Sequence, residues 1–139
     1  MNLFRSRLHR VVFAVTADPQ TMKWWRWLLA GLVVTVIWLA LSPAPPESVN
    51  TGWDKLNHAI AFTALTITAI LACPRSPGFR LLVMVALLGF GGLIEIAQSF
   101  TPTRSAEWGD LLADSVGMAA GTALAMLGSR LARFAAGSE

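Results

Sequence analysis

Apolar positions gather into four blocks along the chain, roughly residues 25–41, 56–73, 81–100 and 111–131. Each is close to the length of about 20 residues that crosses a bilayer as a helix. The pattern predicts an all-α integral membrane protein, a four-helix bundle. Pro43, Pro45 and Pro46 follow the first block and make a stiff external loop. Before the blocks, Phe4, Leu8, Val11, Val12 and Val15 recur at helical spacing, with Arg5, Arg7, His9 and Arg10 on the opposite side. This stretch reads either as an interfacial amphipathic helix on the cytoplasmic leaflet or as a basic tail that only fixes topology. The chain thus divides into a basic segment, residues 1–22, and a membrane domain, residues 23–139.

Composition agrees. Hydrophobic residues are 55% and charged residues only 14% of the 139, against about 25% charged in a soluble domain. That excludes a disordered chain and disfavours a soluble one. The single cysteine, Cys73, excludes an internal disulfide framework. The formal charge of +3 does not point to nucleic acid, because the basic residues sit at the edges of the apolar blocks. Nine of the eleven fall on one side of the four spans: Arg5, Arg7, Arg10, Lys23, Arg26, Arg75, Arg80, Arg130 and Arg133. Only Lys55 and Arg104 fall on the other. By the positive-inside rule both termini are cytoplasmic. A cleaved signal peptide fits the first block poorly, since the basic region before it is too long. Trp24, Trp25 and Trp27 mark one interface, and Trp38 lies near the other.

Ionisable residues inside membrane helices are costly, roughly 3 kcal/mol for an Asp at mid-bilayer. Here they are not scattered. His58 in the second block, Glu95 and Gln98 in the third and Asp114 in the fourth lie within roughly 3–8 Å of the outer boundary at 1.5 Å per residue. Asp54, Lys55, Arg104, Glu107 and Asp110 border that layer. Asp54 and His58 are four apart, so the carboxylate can orient the imidazole. Glu95 and Gln98 share a face, as do Asp110, Asp114, Gly117 and Gly121. Gly89, Gly91 and Gly92 are the matching small residues of the third block, and this spacing predicts close packing of the third helix on the fourth. Taken singly, these polar groups read as structural: ion pairs Asp54–Lys55 or Glu95–Arg104, and Gln98 as interhelical glue. Taken together at one depth, they read as a functional site.

At these residues the sequence resembles the VanZ-like family of small bacterial membrane proteins. Asp54-Lys55-Leu56-Asn57-His58 resembles its D-K-x-x-H motif. Gly92, Glu95, Gln98, Phe100, Pro102 and Arg104 fit its G-x-x-E-x-x-Q-x-F-x-P-x-R motif. Asp110, Asp114, Gly117 and Gly121 fit its D-x-x-x-N-x-x-G-x-x-x-G ending, with Asp114 standing where Asn is usual. The first helix carries no family signature. The resemblance implies a multi-pass protein of the bacterial cytoplasmic membrane with an envelope role, the name-giving member being associated with teicoplanin resistance.

Two functional expectations follow. In one, the outer polar layer binds lipid head groups, cell-wall precursor or lipoglycopeptide, with Asp54, Lys55, Gln98, Arg104, Asp110 and Asp114 as binding residues. Lys55 and Arg104 would then contact anionic groups such as phosphate. In the other, Glu95 and His58 act as acid and base in an enzyme working on lipid or isoprenoid phosphate. Membrane lipids are the expected partners, with no nucleic acid, and oligomerisation stays open. No cofactor and no metal ligand is assigned. One His with several carboxylates is nonetheless a set that an oxygen-preferring divalent ion would accept.

Overall fold

The structure, a computed structural model, describes residues 19–73, 76–102 and 104–137. The candidate interfacial helix at residues 3–16 lies outside them. Four helices make up the bundle: α1 Pro19–Leu41, α2 Asp54–Ala72, α3 Pro77–Ser99 and α4 Trp108–Gly137, with a single 3₁₀ turn Glu47–Val49 before α2. There is no strand among the described residues. All four helices are long and apolar enough to span a membrane. At 1.5 Å per residue, the 23 residues of α1 reach about 34 Å against a hydrocarbon core of about 30 Å.

Each helix extends past its apolar block at one end at least. α1 begins at Pro19 and runs through Lys23 and Arg26. Apolar length measures the bilayer, whereas helix length is set by caps and turns. α3 shows this: Ser76 accepts a hydrogen bond from the Phe79 amide at 3.2 Å, and Pro77 occupies the first turn, where its missing N–H costs nothing.

The central element is α2. It packs most extensively along α4 and then along α1, while α3 closes the bundle against α1, α2 and α4. Phe62, Leu65, Ala69, Leu87 and Met118 form the buried apolar cluster. Large side chains such as Leu81, Leu93, Leu112 and Leu131 are exposed around the outside, where lipid rather than water is their solvent.

The glycines correct one expectation. Gly117 and Gly121 do not face α3; they let α4 rest on α2. A Cβ on Gly117 would strike the Ala59 carbonyl oxygen, and one on Gly121 would lie 2.7 Å from that of Thr63. The Thr63 hydroxyl donates to the Ala59 carbonyl at 2.7 Å and to that of Gly117 at 3.1 Å, which closes the crossing. Of Gly89, Gly91 and Gly92 in α3, only Gly91 meets α4, by admitting the Asp114 carboxylate; Gly89 and Gly92 have open space beside them.

Candidate functional site

Arg104 and Gln98 hold one end of the bundle together. The last turn of any helix leaves carbonyl oxygens without amide partners. At the end of α1, Arg104 Nη2 donates to the Leu39 carbonyl at 2.9 Å and Nε to that of Ser42 at 3.3 Å. Gln98 Nε2 donates to the Ala40 carbonyl at 3.1 Å. The last turn of α3 and the loop after it thereby cap α1. At the opposite end Arg26 Nε donates to the Ala72 carbonyl, at 3.2 Å, and caps α2. Cys73 lies beside it, with partial burial pushing its thiol up from the ordinary value.

The capped end carries the polar residues. His58 Nδ1 and Asp114 Oδ1 are 2.8 Å apart, with His58 9% and Asp114 0% exposed. The other ring nitrogen, Nε2, has Glu95 Oε1 at 4.0 Å, beyond hydrogen-bond reach. Glu95 Oε2 accepts from the Glu107 backbone amide at 2.9 Å, tying α3 to the start of α4. Lys55 Nζ bridges Glu107 Oε2 at 2.7 Å and Asp110 Oδ1 at 3.2 Å. The Lys55 ammonium holds the Glu107 carboxyl below the usual glutamate range. Asp54 lies 3.8 Å from Arg104 Nη1.

The expected partners of four residues change as a result. Asp114, not Asp54, holds the imidazole, because α4 brings its buried face against α2 whereas Asp54 turns to Arg104. Glu95 meets the Glu107 amide rather than Arg104. Lys55 pairs across to α4 rather than with its neighbour Asp54. Neither Lys55 nor Arg104 presents a free cation to phosphate: the first is spent on two carboxylates and the second largely on helix carbonyls. Three buried oxygens have no hydrogen-bond partner among the described residues at this end: Glu95 Oε1, Gln98 Oε1 and Asp114 Oδ2.

Below this polar end a cavity of about 300 Å³ lies between α1 and α2. Leu32, Val36, Leu39, Ile60, Ala61 and Ala64 give it apolar walls, and Asp54, Asn57, His58 and Arg104 form its polar end. Its volume is at the low end of the range of about 300–1,000 Å³ typical of ligand pockets. The first helix, silent in the motifs, supplies one side of the wall through Leu32, Thr35, Val36, Leu39 and Ala40. Asn57 also gains a role that its motif position did not specify. It accepts from the Thr51 amide at 3.0 Å and donates to Asn50 Oδ1 at 2.9 Å, folding the α1–α2 loop over the cavity end. Gly52, at φ +77°, makes the turn that this fold-back needs.

The family described as VanZ/LLP1 matches residues 11–129 of the chain. No curated protein and no solved structure matches it.

Proposed function

The chain belongs to the VanZ/LLP1 family, and on that premise we propose that it holds a membrane amphiphile, hydrocarbon in the α1–α2 cavity and head group at Asp54, Asn57, His58 and Arg104. One observation carries this reading: a cavity with apolar walls along two membrane-spanning helices ends at a cluster of polar side chains. An amphiphile has that same division along its length. The Lys and Arg distribution supports an outward position for the polar end in a bacterial cytoplasmic membrane. There the ligand is an envelope lipid, a lipid-linked wall precursor or the acyl chain of a lipoglycopeptide of the teicoplanin type. Because Lys55 and Arg104 are already engaged, recognition rests on the acyl chain and on neutral hydrogen-bonding groups rather than on phosphate.

The test uses the full chain in nanodiscs with a phospholipid bearing a photoactivatable diazirine on its acyl chain. Crosslinks are expected to concentrate on Val36, Leu39, Ile60 and Ala61. Ala64→Phe, which fills the cavity, should lower that labelling at least fivefold while leaving the thermal midpoint within a few degrees. Labelling spread evenly over outward residues such as Leu81, Leu93 and Leu131 would remove the reading.

The His58–Asp114 contact favours one further version, acid–base chemistry on the bound amphiphile. With Nδ1 held by Asp114, Nε2 is left as the working nitrogen at the cavity end. Lipid profiles of cells carrying Glu95→Gln, matched to the unaltered protein in abundance, would then differ in one lipid class; identical profiles leave binding alone.

A further inference from the structure

We infer that the polar end holds a divalent transition-metal ion, ligated by His58 and the carboxylates of Asp54 and Asp110, with Glu95 as a further carboxylate beside the imidazole. One ligand atom from each of Asp54, His58 and Asp110 lies within 4.8 Å of the others. Metal–oxygen and metal–nitrogen bonds of about 2.0–2.2 Å put opposed ligands about 4.0–4.4 Å apart. Neighbouring ligands on such an ion stand closer, about 3.0–3.6 Å apart, so the side chains must draw in around it, and Asp54, whose side chain is about half exposed, has room to move.

Two independent observations separate this cluster from an ordinary group of surface acids. The first is the histidine, which is nine-tenths buried. A metal-bound imidazole characteristically gives its other N–H to a carboxylate, which fixes the tautomer and aims the ring. His58 has that arrangement: Asp114, wholly buried, takes Nδ1 at 2.8 Å and leaves Nε2 to the ion. The second is Glu95 Oε1. It is buried, has no hydrogen-bond partner among the described residues, and stands 4.0 Å from Nε2. That separation is too long for a hydrogen bond and leaves the two atoms close enough to share an ion after a small approach.

Charge agrees with the geometry. Among the described residues, Asp54, Glu95, Glu107, Asp110 and Asp114 meet only two permanent cations, Lys55 and Arg104. Carboxylates left in excess near hydrocarbon are costly, and a dication offsets them. One imidazole with carboxylate oxygens suits Mn²⁺ or Zn²⁺ better than Mg²⁺ or Ca²⁺, which favour oxygen-only sets. Lys55, on Asp110 at 3.2 Å, is the ion's competitor, and Glu107 at 2.7 Å can keep it when the ion arrives.

The site shares side chains with the amphiphile cavity, but the experiment needs no lipid ligand, so either reading can fail without the other. The full chain in phosphatidylcholine nanodiscs is titrated with Mn²⁺, and the aqueous Mn²⁺ resonance is followed against empty discs. One ion per chain is expected. Echo modulation should show coupling to a single imidazole nitrogen. Asp110→Asn and Glu95→Gln should each weaken binding at least tenfold. Lys55→Gln should tighten it severalfold by removing the competing ammonium. Added Zn²⁺ should displace Mn²⁺, whereas equimolar Mg²⁺ should not. Binding no greater than to empty discs, or bound Mn²⁺ without nitrogen coupling, overturns the inference. The nitrogen signal is read on the unaltered protein, so a variant that fails to fold does not block the decision.

Discussion

Gly117→Ala should lower the stability of the bundle by about 1–3 kcal/mol, the usual cost of overpacking a close contact. Gly89→Ala should instead leave it unchanged or raise it by roughly 0.5–1 kcal/mol through helix propensity. Both glycines are helical and both belong to small-residue stretches. They differ in what stands beside them. A Cβ on Gly117 would run into the Ala59 carbonyl oxygen, with the Ala59 Cα at 3.0 Å, whereas beside Gly89 there is nothing within 4 Å. The obstacle is backbone, so no rotamer change relieves it and α4 must move off α2. Asp110 and Asp114 lie on the same stripe of α4, and the displacement would carry Asp114 away from His58 as well. Unfolding midpoints in detergent micelles decide the matter. Equal midpoints for the two variants would mean that α4 does not cross α2 at Gly117.

That contrast also marks how far the sequence could be read. The four spans were legible because about 20 apolar residues in a row have few other uses. So was the polar layer. Helical rise alone places His58, Glu95 and Asp114 at similar depth, and the structure brings all three together. Partner choice was not legible. The i,i+4 spacing made Asp54 the natural companion of His58, yet helix spacing says nothing of which neighbouring helix faces that side chain. Once α4 packs on α2, Asp114 is nearer and better buried. The same ignorance of helix order put Gly117 and Gly121 against α3. The wall that α1 gives to the cavity had no signal at all. In a membrane the faces turned to lipid and to protein are both apolar, so hydrophobicity cannot tell Leu32 and Val36 from the lipid-facing residues around them. The capping role of Arg104 was hidden for a related reason. Its cationic character suggested an anionic ligand, whereas the unsatisfied carbonyls of Leu39 and Ser42 lie more than sixty residues away in the chain.

Asp114→Ala should be the most damaging single change at the polar end, at about 3–5 kcal/mol, the cost of breaking a buried charged pair from one side. It would strip His58 of its partner in a place with almost no water, since the two side chains are 9% and 0% exposed. Asp114→Asn should cost far less, within about 1 kcal/mol, because the amide oxygen can still accept from Nδ1–H at the Oδ1 position. Asn is also the residue that the VanZ-like pattern usually carries there. That small cost would show that the helix crossing needs an acceptor at 2.8 Å from the ring rather than the charge of Asp114. A double-mutant cycle isolates the pair: His58→Gln, Asp114→Ala and both together, each read from its unfolding midpoint. The coupling should be about 1.5–3 kcal/mol, the range for hydrogen bonds to charged groups. A coupling below about 0.5 kcal/mol would put the bond among the weakest neutral ones, and His58 would then have to be held by Glu95 or by a ligand instead. Asp114→Asn also separates the two roles of the carboxylate. If it acts only by aiming the imidazole, the Asn variant should keep Mn²⁺ affinity within a few-fold of the unaltered protein. If its charge contributes to holding the ion, affinity should fall tenfold or more while the unfolding midpoint stays put.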